Sequence, residues 1–223
     1  SLCEQEYHGV VRCALGWACW KTHVGRPETD QARCLAMSGL GTGLWAAKHH
    51  EEALSVQEAQ LSMLRRLGAP EIRMLVVQNN LAITYHDLGR LEEANRILRD
   101  VYSGTLRLHG EEHERTLREA NNYAVSLVSL ERFEEAKALL RKTIPVARRA
   151  LGDPHDLTLS MRKLYARALC ENPAATLDDL REAVTTLEDV ERTARRVFGG
   201  AHPFTASVEV KLRAARAALR ARE

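Results

Sequence analysis

Two stretches of sequence decide the fold: Gln78-Asn79-Asn80-Leu81-Ala82, followed by Glu92-Glu93-Ala94, and Ala120-Asn121-Asn122-Tyr123-Ala124, followed by Glu134-Glu135-Ala136. The second stretch repeats the first 42 residues later, and the pairs Leu67-Gly68, His109-Gly110 and Leu151-Gly152 recur at the same interval. A fixed period of this size indicates stacked supersecondary units that bury their apolar faces against one another. The sequence therefore predicts a solenoid with a long exposed surface suited to binding.

Each repeat is predicted to contain two helices. In the repeat at 69–110, Leu75, Leu81, Ala82 and Tyr85 have the spacing of one apolar helix face, which predicts a helix from residue 71 to 88. Gly89 should end that helix, because glycine readily adopts the positive φ found at helix C-termini. Acidic residues at 92 and 93 suit the positive end of a second helix, which should run to about residue 110.

The composition favours an all-α protein, since 45% of the residues are hydrophobic, only 5% are aromatic, and strong helix formers are abundant. We expect about ten antiparallel helices in a single solenoid over residues 1–223, with a partial leading repeat at 3–24, full repeats at 25–68, 69–110, 111–152 and 153–199, and a terminal capping helix at 200–223. The extra residues of the longest repeat should form a turn at 171–175, where Pro173 cannot continue a helix. Gly39, Gly41 and Gly43 should weaken their helix by up to about 1 kcal/mol each relative to Ala.

Charge and cysteine content exclude several classes of protein. The formal net charge of +2 arises from 32 basic and 30 acidic residues, a balance that predicts neither nucleic acid nor a membrane surface as a partner. The longest apolar stretch, residues 13–20, is far shorter than the roughly 20 residues of a membrane span. Five cysteines without a C-x-x-C pair indicate free thiols in a reducing compartment, so we expect a cytoplasmic protein without a metal site. Because the chain opens at Ser1 in mid-pattern, we expect a monomeric fragment of a larger protein.

The repeat text resembles the tetratricopeptide repeat in the longer form found in kinesin light chains. The resemblance covers residues 25–223 and rests on Gly152-Asp153-Pro154-His155, on the paired asparagines and on Gly89-Arg90-Leu91-Glu92-Glu93-Ala94. The repeat at 25–68 lacks the paired asparagines, and the repeat at 153–199 has Arg162-Lys163 in their place. The resemblance implies a right-handed α–α superhelix that acts as a scaffold or adaptor. In kinesin light chains the ligands of the concave groove are short, extended and acidic around a tryptophan.

Groove positions of the family, carried onto this sequence, give the candidate peptide-binding residues Trp45, Val76, Asn79, Ile83, His86, Arg118, Asn121, Val125, Lys163 and Arg167. The amides of Asn79 and Asn121 can both donate to and accept from an extended peptide backbone. The basic side chains at 118, 163 and 167 suit ligand carboxylates. Asn80 and Asn122, one position further on, are expected to bond a neighbouring helix instead.

We predict no enzymatic activity and no cofactor. The histidines His113, His155 and His202 recur at equivalent repeat boundaries, which predicts a role at helix starts. Cys170 and His155 lie near opposite ends of one predicted helix, about 20 Å apart at 1.5 Å rise per residue. Two functions remain from the sequence: a module that binds an acidic peptide of a protein partner, or an architectural or self-associating repeat array without a peptide ligand.

Overall fold

The computed structural model describes the backbone of residues 2–223 and the side chains from residue 8 onward. Within that range every regular element is an α-helix, which confirms the all-α prediction. The Cys3 side chain lies outside the described residues. The helices are α1 (Leu2–His23), α2 (Gln31–Ala46), α3 (His50–Arg66), α4 (Glu71–Asp87), α5 (Leu91–His109), α6 (Glu114–Ser129), α7 (Phe133–Leu151), α8 (Asp156–Glu171), α9 (Leu177–Phe198) and α10 (Pro203–Arg220).

Histidines begin three of these helices, as the sequence predicts. The Nδ1 atoms of His113, His155 and His202 each accept a hydrogen bond, at 3.1 to 3.2 Å, from the backbone N–H two residues further on. Each side chain therefore satisfies one of the backbone donors that an α-helix leaves unpaired at its N-terminus. These imidazoles have a structural role at the starts of α6, α8 and α10.

A left-handed residue separates the two helices within three of the repeats. Gly89 has φ +75°, and the equivalent positions hold Lys48 with φ +65° and Glu131 with φ +57°. The prediction for Gly89 is confirmed. At the other two positions a side chain occupies a backbone region that costs an L-residue about 1 to 2 kcal/mol.

The chain forms two compact units, Ser1–Gly104 and Thr105–Glu223, and each is described by itself. In the first unit, α1 packs on α2 through glycines. A Cβ added to Gly43 would lie 2.6 Å from the Arg12 carbonyl oxygen, and one added to Gly16 would lie 2.9 Å from the Leu40 Cα. Gly43 is thus needed for close helix contact, a role beyond the helix weakening that the sequence predicts.

The second unit has a continuous apolar core between α6 and α10. Its largest wholly buried side chains include Leu127, Leu140, Leu159 and Leu187. The α8–α9 connection spans residues 172–176, one residue later than the turn predicted at 171–175, because Glu171 still belongs to α8. The Arg222 guanidinium donates to the Ala175 carbonyl and, at 3.5 Å, to the Pro173 carbonyl, which ties this connection to the end of the chain.

Candidate functional site

Five of the candidate groove residues lie on α2 and α4 in the unit Ser1–Gly104. We call them the α2–α4 face: Trp45, Val76, Asn79, Ile83 and His86. The four residues on α4 follow helical spacing along one stripe. Trp45 and Val76 remain 36% and 39% exposed, so this face presents apolar surface to solvent.

A pocket of about 140 Å³ opens on the α2–α4 face. Its lining is Arg12, Thr42, Trp45, Gln57, Asn80 and Ile83. Two of these six, Trp45 and Ile83, are among the ten candidate groove residues. Asn80, which the sequence predicts to bond a neighbouring helix, also lies in the pocket wall.

Hydrogen bonds hold the pocket residues in place. The Trp45 Nε1 donates to Asp87 Oδ2 at 2.7 Å, and the other carboxylate oxygen lies 3.4 Å from His86 Nδ1. Gln57 Oε1 accepts from Thr84 Oγ1 at 2.9 Å, which leaves the Gln57 Nε2 group as the donor that this side chain can offer to the pocket. The pocket therefore combines apolar walls with fixed polar groups, as small binding sites commonly do.

The other five candidates lie on α6 and α8 in the unit Thr105–Glu223. We call them the α6–α8 face: Arg118, Asn121, Val125, Lys163 and Arg167. Two of its three basic groups already have carboxylate partners. Arg118 forms an ion pair with Glu114, and Arg167 Nε donates to Glu171 Oε2 at 2.7 Å. The positive charge that the sequence predicts for binding ligand carboxylates is thus partly neutralised within the chain.

Lys163 differs from these arginines because no carboxylate pairs with it among the described residues. Its Nζ lies 3.4 Å from Ser207 Oγ and 4.5 Å from the centre of the Phe204 ring, both on α10. Desolvation by burial, followed by the charges of Lys211 and Arg167, lowers the pKa of this half-buried amine. An amine surrounded in this way would be stabilised by an added anion.

Lys211 completes this group of charges. Its Nζ lies 3.1 Å from Glu171 Oε1, so one carboxylate bridges Lys211 and Arg167. Burial raises the pKa of Glu171, but the hydrogen bonds from Arg167 and Lys211 outweigh that effect and leave it lowered. We call Lys163, Arg167, Lys211 and Glu171 the cation cluster.

The candidate asparagines occupy half-buried positions. Asn121 Oδ1 is buried and accepts no hydrogen bond from the part of the chain that the structure describes. Its neighbour Asn122 donates from Nδ2 to Glu119 Oε2 at 3.2 Å within α6. An unpaired buried acceptor costs about 1 to 3 kcal/mol, so Asn121 would gain from a donor supplied by a ligand after rotation of its amide.

Sequence reasoning missed Arg12, Gln57 and Lys211. Arg12 and Gln57 lie on α1 and α3, whereas the family's groove positions were carried only onto the first helix of each repeat. Lys211 lies on α10, which was interpreted only as a cap. Aligning α10 with α8 through the equivalent helix starts at His155 and His202 places Lys211 at the level of Leu164, which is not a groove position, so this alignment does not identify Lys211.

The thiol nearest to the cation cluster is not activated. Desolvation by burial, with Glu171 as the second cause, raises the pKa of Cys170 to about 11. A nucleophilic cysteine needs a lowered pKa, so this thiol lacks the activation of a catalytic nucleophile. Across residues 8–223, no group of three or more metal-ligating side chains comes together. None of the described helices has the length and apolarity required to cross a bilayer.

The chain is similar to known proteins both in sequence, through a family model, and in fold, through solved structures. A sequence model of the tetratricopeptide repeat matches residues 32–106 and 73–149. The comparison with curated proteins gave no match.

Three solved structures illustrate the similarity of fold. The structure of BtubC (BKLC) from P. vanneervenii is 15% identical with a TM-score of 0.71, and the alignment covers 98% of this chain and 84% of that one. The putative kinesin light chain TPR-like repeats from Podosopora anserina are 20% identical with a TM-score of 0.67, covering 87% and 95% of the two chains. Bacillus thuringiensis PlcR, solved with the peptide PapR7 and DNA, is 14% identical with a TM-score of 0.66, covering 93% and 69%.

At these identities the structures establish a common fold. The two family matches together span residues 32–149, which is more than half of the 223 residues. The repeat text, the paired helices and these matches agree, and the chain belongs to the tetratricopeptide repeat family, with the fold of kinesin light chain-like repeats.

Proposed function

We propose that this chain is a protein-interaction module that binds an extended, acidic segment of a partner protein. The tetratricopeptide repeat fold is consistent with an interaction scaffold. The observation that carries the acidic ligand is Lys163, a half-buried ammonium group that has two cationic neighbours and no carboxylate of its own among the described residues. Its natural complement is a carboxylate from another molecule.

The energetic reason lies in the poor solvation of Lys163. A lysine amine is rarely buried without an ionic partner, because burial removes the water that stabilises its charge. A ligand carboxylate beside Nζ would restore that stabilisation through a charge-assisted hydrogen bond. On the same face, Asn121 offers an amide to the backbone of an extended peptide.

The α2–α4 face supports the proposal through its pocket. A volume of about 140 Å³ is close to the roughly 150 Å³ of an engineered cavity that binds benzene. Within the first unit by itself, an apolar side chain of a bound peptide fits a space of this size between Trp45 and Ile83. Arg12 at the same pocket can pair with a carboxylate of that peptide.

One structural neighbour supports peptide binding as the mode of interaction. PlcR, whose fold is similar, is known in complex with the peptide PapR7. We propose that this chain also uses the fold to recognise a peptide. We further propose that the chain has no catalytic activity and needs no cofactor. The family's members are generally non-catalytic scaffolds.

The decisive experiment titrates a library of acidic, tryptophan-containing peptides against the protein by fluorescence polarisation. We expect the double substitution Lys163→Glu with Arg167→Glu to reduce affinity more than tenfold and to flatten its salt dependence, since repulsion replaces attraction. Lys142→Glu, at an exposed lysine on α7, is the matched control for a charge reversal in the same unit. Unchanged affinity and salt dependence in the double variant would disprove the acidic-peptide proposal.

A second candidate function, self-association, is favoured by one feature of α1. The side chains of Val10 and Trp17, which lie two helical turns apart on one side of this helix, are 63% and 43% exposed, and Leu15 is 65% exposed. Apolar side chains exposed together commonly mark interaction sites. Light scattering over a range of concentrations separates the two functions, because a peptide-binding module should remain monomeric whereas a self-associating array should gain mass with concentration.

The single-solenoid organisation and the cytoplasmic location remain predictions. Cys13, Cys19, Cys34 and Cys170 are free thiols, as a protein from a reducing compartment would have. Fractionation of the source cell, followed by detection of the chain, tests the location directly.

A further inference from the structure

The cation cluster carries a formal charge of +2, since Lys163, Arg167 and Lys211 share the single carboxylate of Glu171. A single ligand carboxylate would leave one positive charge uncompensated. The side chains of Arg167 and Lys211 are 37% and 44% exposed, so a ligand can reach the cluster from solvent.

The cluster presents several hydrogen-bond donors to one place. Lys163 Nζ and the Ser207 hydroxyl lie 3.4 Å apart, beside the face of Phe204. Lys211 Nζ contacts Glu171 Oε1 at 3.1 Å, and its charge is felt at Lys163, whose pKa it helps to lower after desolvation by burial. The bond from Arg167 to Glu171 uses only Nε, which leaves both Nη groups of the guanidinium for a further acceptor.

A phosphoryl group matches this arrangement in charge and in number of acceptors. Phosphorylated side chains carry about −1.5 to −2 at pH 7 and have three strong acceptor oxygens. We propose that the cation cluster recognises a phosphorylated side chain of the partner segment. This inference rests on the proposed function and names the ligand group that the α6–α8 face selects.

A peptide is favoured over a membrane as the source of the phosphate. Lipid-binding surfaces commonly gather four to eight basic residues at an exposed patch. The cluster has three cations, already shares one carboxylate, and holds Lys163 half-buried against α10. A phosphate on a flexible side chain can reach the half-buried Lys163 more easily than a lipid headgroup that is held in the plane of a bilayer.

The test compares blocked amino acids as minimal probes by ¹⁵N NMR titration of the whole chain. N-acetyl-phosphoserine amide should shift the amide signals of Lys163 and Ser207 and bind about tenfold more tightly at pH 7.5 than N-acetyl-glutamate amide. Inorganic phosphate and vesicles containing phosphatidylserine are titrated in parallel. Tighter binding of the vesicles than of the phosphoserine probe would overturn the inference in favour of a membrane.

The pH dependence provides a second, independent readout. The second phosphate pKa lies near 6, so affinity for the phosphoserine probe should fall between pH 7.5 and 5 while affinity for the glutamate probe changes little. The groups with shifted pKa values in the cluster and next to it do not cause this fall in affinity. Glu171 has a lowered pKa and Cys170 a pKa of about 11, so neither titrates there, and Lys163 can only gain charge as the pH decreases.

Variants make the outcome specific to the cluster. Lys163→Met should weaken the phosphoserine probe at least fivefold, whereas Lys142→Met, at an exposed lysine outside the cluster, should leave it unchanged. Circular dichroism verifies that both variants retain their helices. Equal affinities for the phosphoserine and glutamate probes, or failure of the phosphoserine probe to bind, would overturn this inference, whereas the acidic-peptide function is decided separately by the peptide titration with the double variant.

Discussion

The glycines of α2 allow a sharp test of how the first unit is packed. Gly39 and Gly43 lie one helical turn apart, and both can be replaced by Ala within the same helix. A Cβ at Gly39 has no atom within 4 Å, whereas one at Gly43 lies 2.6 Å from the Arg12 carbonyl oxygen and 3.0 Å from the Cys13 Cα. The two substitutions therefore share their effect on helix propensity and differ in their contact with α1.

The expected magnitudes follow from these distances. Gly39→Ala should stabilise the protein by about 0.5 to 1 kcal/mol, because Ala has the higher helix propensity. At Gly43, ordinary contact would require the α1 backbone to retreat by about 0.8 Å, and the atoms in the way are backbone atoms that cannot rotate aside. Forcing volume into a packed interior costs about 1 to 3 kcal/mol, so Gly43→Ala should be less stable than Gly39→Ala by that amount.

Hydrogen exchange of the α1 amides measures this effect where it arises. Because local opening can occur without global unfolding, we expect faster exchange in α1 for Gly43→Ala and no change for Gly39→Ala. Urea unfolding should rank the variants in the same order. If Gly43→Ala were as stable and as protected in α1 as Gly39→Ala, the close α1–α2 contact would be refuted.

Three further predictions concern single side chains. Glu131→Gly should raise the free energy of unfolding by about 1 kcal/mol in urea denaturation, because φ +57° costs little for glycine; a less stable variant would contradict the left-handed backbone at this position. Glu171→Gln should tighten binding of acidic peptides severalfold in fluorescence polarisation, since it removes a carboxylate that competes for Arg167 and Lys211, and weaker binding would show that Glu171 positions those cations instead. Desolvation raises the pKa of Glu119 above 4.5 in the folded state, so its favourable contribution to stability is complete below pH 4.5 and is lost as the pH rises through the folded value. Glu119→Gln should therefore be more stable than the natural chain at pH 7 and equal to it near pH 4, as measured by thermal unfolding, and a constant difference between the two pH values would contradict the raised pKa.

Features set by local sequence were predictable. The helix starts at His113, His155 and His202 depend only on a side chain and the backbone N–H groups that follow it. The α8–α9 connection follows from five extra residues around a proline, so a turn could be predicted at 171–175, within one residue of its position at 172–176. Both are decided within a few residues along the chain.

Features set by contact between helices were not predictable from spacing alone. The sequence predicts only that Gly43 weakens its helix. Its role in packing depends on the Arg12 carbonyl oxygen of α1, which leaves no room for a side chain at this position. The charge of Arg118 could have been discounted from the sequence, because Glu114 lies four residues earlier on the same helix. Lys211 could not be placed beside Lys163 in this way, because its position depends on how α10 packs against α8.

The terminal helix α10 therefore has two roles that must be tested separately. Its buried residues Val208 and Leu212 close the apolar core of the second unit, while Ser207 and Lys211 belong to the surroundings of Lys163. Deleting the helix would remove both roles and could not distinguish them. Lys211→Met retains the packed side of α10 and removes one charge of the cation cluster, so it should weaken anion binding while the unfolding midpoint changes little, because an ion pair this exposed contributes at most about 1 kcal/mol. If Lys211→Met lost stability but retained full affinity for the anion, α10 would be shown to cap the core without contributing to the binding site.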